Sequence, residues 1–206
     1  MDKKILDVLE RLAKQEAFEC QNHDSIPHSE KMLAITPKIG KFYNILLRAT
    51  RATKILEIGT SVGYSTIWFA EALLGLKEAK IITIDSDGKK IQRAKKNFED
   101  AGVSDIIEQR HGAALDILAQ LGKEIKSEKF DFVFIDADKE NYVQYFDAIF
   151  PMLKVGGLVG ADNILLPARY HQMIKVYLDH IKNNPKVISE TIPIDNGEEL
   201  TIKLQD

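Results

Sequence analysis

The sequence predicts an α/β fold, a mostly parallel sheet with helices on both faces, led in by separate helices and closed by an antiparallel hairpin. Three observations carry this. From Lys54 onward, short apolar β-branched runs alternate with stretches of helical spacing. Several of those runs stop abruptly at acidic residues, as parallel strands do where they deliver side chains to a site at their carboxyl edge. Near the C-terminus, two strand-like runs are joined by a turn too short for a parallel crossover.

In chain order, Ile5, Val8, Leu9 and Leu12 recur at helical spacing and give a first helix with one apolar stripe. A polar stretch from Gln21 to Ser29 breaks it. A short second helix is expected over Glu30 to Ala34, and Pro37 is placed to open a third through Ile39, Phe42, Ile45, Leu46 and Leu47. The alternation then runs strand 54–58, helix 63–74, strand 80–85, helix 88–101, strand 105–110, helix 113–124 and strand 130–135. Tyr142, Tyr145, Phe146, Ile149, Phe150 and Leu153 mark one further helix, and Tyr170, Met173, Ile174, Tyr177, Leu178 and Ile181 another. Val187 to Ile194 and Leu200 to Leu204 flank the turn Asp195-Asn196-Gly197, so these two strands must be antiparallel.

Composition bounds the rest. With 206 residues, 45% of them hydrophobic, and no linker or repeat, the chain suits a single domain over 1–206. Residues 1–50 would supply helices over the site and 51–206 the core. There is no run of eighteen apolar residues, and the amino terminus leads into an amphipathic helix, so a soluble cytoplasmic protein without membrane contact is expected. One cysteine, Cys20, excludes an internal disulfide. The net charge of −3 gives no general pull on nucleic acid, and the run Lys89, Lys90, Arg93, Lys95, Lys96 reads as a solvated helix face. Histidines 23, 28, 111, 171 and 180 lack ligand spacing; His28, in the polar loop, is the one to watch for a pocket role.

Two strand ends carry candidate chemistry. Phe130-Asp131-Phe132-Val133-Phe134-Ile135 stops at Asp136, and Gly156-Gly157-Leu158-Val159-Gly160-Ala161 stops at Asp162-Asn163. Asp136, Asp162 and Asn163 can therefore converge on one cation, and two carboxylates with an amide suit a hard ion that keeps water, Mg²⁺ before Zn²⁺. Upstream, Lys54 to Ile58 turns through Gly59-Thr60-Ser61-Val62-Gly63 into a helix, and the next strand ends at Asp85, where a carboxylate can accept both hydroxyls of a ribose. This is a nucleoside-binding unit but not a dinucleotide fingerprint: the third glycine is missing, and Glu57 would repel a pyrophosphate. S-adenosylmethionine, a cationic nucleoside without phosphate, tolerates both departures, with Glu57 near its methionine half and Asp85 near its ribose. Each residue has a plainer reading: Asp136 as a helix cap, Asp162-Asn163 as a turn, Glu57 and Asp85 as surface acids.

The motifs L-E-I-G-x-x-x-G-Y-S, an acid at the second strand end, F-I-D-A-D-K and G-G-x-x-x-x-D-N, in this order, resemble those of class I metal-dependent O-methyltransferases of the catechol and caffeoyl-CoA family, from about Ile35 to the C-terminus. The resemblance implies the Rossmann-like S-adenosylmethionine-dependent methyltransferase fold, with a seven-stranded sheet and a homodimer. It implies cofactor contacts from Glu57, Gly59, Thr60, Ser65, Asp85 and Ala114. It also implies ligation of Mg²⁺, or of another hard divalent ion such as Mn²⁺ or Ca²⁺, by Asp136, Asp162 and Asn163, and a catalytic role for Lys139.

Methyl transfer to oxygen is an in-line displacement that needs an ionised, oriented acceptor hydroxyl. Lys139, three residues past Asp136, is placed to take its proton, and Asp138 to orient the lysine or contact the acceptor. The expected activity is methylation of a small vicinal diphenol. Methylation of 5-hydroxyuridine in tRNA is the alternative, and a non-catalytic S-adenosylmethionine-binding module the third reading. The plant relatives carry a long segment after the Asp-Asn pair, whereas here Ile164-Leu165-Leu166-Pro167 leads almost at once into a helix, which implies an open acceptor pocket of broad tolerance.

Overall fold

The computed structural model describes residues 2–125 and 128–206. Its centre is one sheet of seven strands: β1 (Lys54–Ile58), β2 (Lys80–Asp85), β3 (Ile107–His111), β4 (Phe130–Ile135), β5 (Leu153–Asp162), β6 (Val187–Ile192) and β7 (Glu198–Lys203). The order is β3-β2-β1-β4-β5-β7-β6. The first five are parallel, while β7 runs antiparallel to both β5 and β6. The direction of β1 to β5 brings the ends carrying Gly59, Asp85, Gly112, Asp136 and Asp162 to one edge of the sheet, with β1 and β4 next to each other at its middle.

Alternate side chains of the buried strands feed two cores. Ile55, Phe132 and Phe134 face a cluster built by α1 (Lys3–Gln21), α2 (Pro37–Thr50), α3 (Tyr64–Leu73) and α4 (Gly88–Ala101). Leu56, Ile58, Val133 and Ile135 face the opposite cluster, built by α5 (Ala114–Glu124), α6 (Tyr142–Ile149) and α7 (His171–Lys182). The two-sided burial accounts for the nearly unbroken apolar runs of β1 and β4. Among the described residues, no helix is long and apolar enough to cross a membrane.

The helix expected over Glu30 to Ala34 does not form. His23–Ser25 and His28–Glu30 are single 3₁₀ turns, and 31–36 is an irregular strap. Tertiary bonds outweigh the local propensity. The Met32 amide donates to Glu19 on α1 at 2.7 Å, the Met32 carbonyl accepts from the Ser61 hydroxyl, and Leu33 adopts a left-handed φ of 48°. The strap ends at Thr36, which caps α2 through the Ile39 amide and donates its hydroxyl to Asp195 in the β6–β7 turn. The helix expected to reach Leu153 stops at Ile149, because Pro151 cannot continue it; Phe150–Met152 make a 3₁₀ turn and Leu153 already belongs to β5.

Candidate active site

The turn between β1 and α3 forms the floor of a cleft lined by Gly59, Thr60, Ser65 and Asp136, with Leu33 and Ile35 of the strap above it. Its glycines answer first to the protein. Gly59 has φ of +104°, and a Cβ there would lie 1.9 Å from the Asp136 carbonyl oxygen; at Gly63, with φ of +83°, it would meet the Phe98 ring at 2.3 Å. Glycines in such a turn can also admit a ligand close to the backbone. Gly59 does line the cleft, but what forbids a side chain at either position is the Asp136 backbone just past β4 and the packing of α4 against Gly63.

Glu57 lies beneath the cleft rather than in its wall. It is fully buried and accepts from Ser65 Oγ at 2.5 Å, Thr66 Oγ1 at 2.5 Å and Thr83 Oγ1 at 2.6 Å. Burial pushes its carboxyl up to about 7, against the pull of those three hydroxyls. Ser65 thus connects this acid to the cleft. Asp85 ends β2 with its carboxylate held by two backbone amides, Ser61 at 2.7 Å and Asp87 at 2.9 Å. Ala114 opens α5 just beyond Gly112, whose amide donates to the Asp85 carbonyl at 3.0 Å. All six residues expected to serve a nucleoside therefore fall along the ends of β1, β2 and β3.

The second group occupies the ends of β4 and β5. Ile135 and Ala161 are paired neighbours, which puts Asp136 and Asp162 side by side just past them. Asp162 is buried, and burial together with the charge of Asp136 pushes its carboxyl up to about 6. Asn163 follows with a left-handed φ of 61°, its amide donating to Asp162 Oδ1 at 2.7 Å. Lys139 is buried with Nζ donating to Asp136 Oδ1 at 3.2 Å and to the Tyr142 hydroxyl at 2.5 Å. Tyr142 lies within 3.1 Å of the carbonyls of Ile135 and Asp162 and so ties both strand ends to the lysine.

Asp138 is exposed and bonded to Tyr145 Oη at 2.6 Å and to Asn141, not to Lys139. The structure therefore corrects its expected part in orienting the lysine, which Asp136 and Tyr142 perform. Asp136 caps no helix, since Asp138 occupies the N-cap of the turn that follows. The side chain of His28 lies outside the described residues.

Sequence reasoning missed Glu198 and Tyr43. Glu198 is the ladder partner of Asp162 and is fully buried. Its Oε2 accepts from Tyr43 Oη at 2.6 Å, while its Oε1 is buried and has no hydrogen-bond partner among the described residues. Burial, then the Asp162 charge, pushes its carboxyl up to about 11. The signal was weak: an acid one residue past a turn, informative only once β7 is known to pair with β5.

Two carboxylates at adjacent strand ends, one buried, with an amide beside them and one lysine as the nearby positive charge, are donor types that could hold a hard divalent cation. Among the described residues, no three His, Cys, Asp or Glu side chains form a metal cage. An ion at this edge would rely on the Asn163 amide and on water.

Comparison with known proteins identifies the group to which this geometry belongs. Residues 10–204 match the family model described as O-methyltransferase. The catechol O-methyltransferase of Niastella koreensis is 41% identical over 133 residues, 65% of this chain and 59% of that protein. The caffeoyl-CoA O-methyltransferase of Eucalyptus gunnii is 32% identical over 193 residues, 86% of this chain and 77% of its own length. Among solved structures, the O-methyltransferase of Bacillus cereus in complex with SAH superposes with a TM-score of 0.79 at 29% identity, covering 98% of this chain and 91% of that one. TomG of Streptomyces achromogenes, in complex with SAM, gives 0.80 at 26% identity, covering 100% and 91%. The seven-stranded architecture is thus that of the S-adenosylmethionine-dependent methyltransferases, and the chain belongs to the O-methyltransferase family, among relatives named catechol and caffeoyl-CoA O-methyltransferase.

Proposed function

We propose that this protein transfers a methyl group from S-adenosylmethionine to one hydroxyl of a small vicinal diphenol, with a divalent cation, Mg²⁺ first, at the β4–β5 edge. The observation that carries this reading is the double position of Asp136, which lines the cofactor cleft and also holds Lys139. Donor and acceptor chemistry therefore share one wall.

In this reading Asp85 accepts the ribose hydroxyls, and the β1–α3 turn bounds the donor with Glu57 held beneath through Ser65. The strap over the cleft keeps water from the reacting centre. Asp136, Asp162 and Asn163 would hold the cation, which would supply positive charge favouring the ionised form of the acceptor hydroxyl. Lys139, as the free amine, would receive the released proton at Nζ, a nitrogen that Asp136 and Tyr142 fix in place. The short segment 164–167 leaves the acceptor side open, consistent with broad tolerance of diphenols and no need for a coenzyme A handle.

A groove between α1 and α4, lined by Arg11, Lys89, Arg93 and Lys96, favours the RNA alternative. Labelled S-adenosylmethionine incubated with Mg²⁺ and either caffeate or total tRNA separates the two. Label in caffeate supports the diphenol reading, label in tRNA replaces it, and label in neither removes both acceptor readings.

A further inference from the structure

The cleft above the β1–α3 turn is closed by the strap. Its free space is about 10 Å³, the room of roughly one water molecule, whereas pockets for small molecules run to about 300–1,000 Å³. Leu33, Ala34 and Ile35 fill it from the strap side, against Gly59, Thr60 and Ser65 of the floor. The floor cannot retreat, because β1 is paired with β2 on one side and β4 on the other, and Gly59 already abuts the Asp136 carbonyl. The strap can, since neither a helix nor a ladder holds it. Met32 is fully buried and Ile35 nearly so, while Leu33 between them is half-exposed at its left-handed φ. Both backbone groups of Met32 are tied: its amide donates to Glu19 Oε2 at 2.7 Å, and its carbonyl accepts from Ser61 Oγ on the β1–α3 turn. Glu19 is buried on α1, outside the cleft lining, and its other oxygen accepts from Gln15 Nε2 at 2.8 Å.

We infer that the strap over 31–36 is a gate, latched at Met32 by Glu19 and Ser61, that must open before the methionine half of the donor can enter. The latched strap and the donor compete for one space, so the association rate scales with the fraction of molecules whose strap is open. Opening breaks two backbone hydrogen bonds and loosens the buried Met32 and Ile35, which keeps that fraction small. With the donor in place the strap rests over it and still excludes water, while the bond from Ser61 to Met32 stays broken. Weakening the latch therefore speeds entry without speeding exit. The inference rests on the donor reading above, and its test keeps the two apart.

Association and dissociation rates of S-adenosylmethionine are measured by surface plasmon resonance on the immobilised full chain, with the melting temperature as a control for folding. Glu19→Ala, which frees the Met32 amide, should associate about tenfold faster than the wild type, the scale of one lost hydrogen bond to a charged group. Its dissociation rate should stay within about twofold, so the donor binds more tightly to the variant. Glu19→Gln keeps an acceptor for Met32 and, once the Gln15 amide turns over, a bond to Gln15; its association rate should stay within about threefold of the wild type. Ser61→Ala removes the other latch and should also associate faster, which keeps the test open if Glu19→Ala folds poorly. Wild-type or slower association in Glu19→Ala or in Ser61→Ala overturns the gate alone. So does faster dissociation with weaker affinity in Glu19→Ala, the sign of a merely structural residue, or a Gln variant as fast as the Ala variant. Absence of S-adenosylmethionine binding to the wild type overturns the donor reading and this inference with it.

Discussion

The two halves of the site treat their acids in opposite ways. At the ends of β1 and β2, Glu57 accepts from three hydroxyls and Asp85 from two backbone amides, so both are satisfied without a ligand. At the ends of β4 and β5, Asp136, Asp162 and Glu198 crowd one another with Lys139 as the cation beside them, and two of the three are driven toward their protonated forms. The first half is organised in advance, as a nucleoside pocket should be. The second has more negative charge than the protein neutralises, which is the electrostatic condition for holding a cation.

The comparison breaks most visibly at Lys139. Lys139→Ala should lower turnover by about 10²–10⁴-fold, the usual scale for a general acid–base group, with S-adenosylmethionine affinity nearly unchanged. Calorimetry beside a transfer assay measures both, and a variant that loses cofactor affinity instead would put the lysine in the wrong half. Asp85→Ala should do the reverse: weaken the cofactor by about 1.5–3 kcal/mol, the scale of lost charge-assisted hydrogen bonds, with Mn²⁺ affinity retained. Asp85→Asn, whose single oxygen can accept from only one of the two loop amides, should fall between the wild type and Asp85→Ala.

A smaller effect concerns pH. Glu57 rises from 4.5 to about 7 and Asp162 from 3.8 to about 6 on folding, so the folded state holds their protons more tightly than the unfolded chain. Their contribution to stability is complete below the unfolded values and is lost as pH rises to about 7. Without a divalent ion, the melting temperature should therefore fall across that window, and Mg²⁺ should raise it more at pH 8 than at pH 5. Equal Mg²⁺ shifts at the two values would detach the ion from these acids. The smallest effect expected is in acceptor choice: kcat/KM across vicinal diphenols and a coenzyme A thioester should vary by less than about a hundredfold, roughly 2.7 kcal/mol. A larger preference would mean that something other than segment 164–167 closes the pocket.

What the sequence revealed follows the same division. The strands from β1 to β5 were legible because two-sided burial writes itself as apolar runs, and their acidic ends because position in the chain locates them at one edge. The helix over Glu30 to Ala34 was misread because bonds to Glu19 and Ser61, distant in sequence, set the strap. Glu198 and Tyr43 escaped for a related reason: only the pairing of β7 with β5 and the small size of Gly160 bring them to Asp162. Asp138 does not orient Lys139, because its carboxylate turns away to Tyr145 and Asn141.

In the proposed function the β4–β5 half needs a cation for chemistry, while the β1–β2 half binds the donor without one. The direct test takes exhaustively chelated protein and Asp162→Ala and measures S-adenosylmethionine affinity by calorimetry and methyl transfer to caffeate, before and after adding Mg²⁺. The account expects cofactor affinity to persist throughout, transfer to vanish on chelation and return with Mg²⁺ in the wild type, and no recovery in Asp162→Ala. Full transfer by the chelated protein would contradict it.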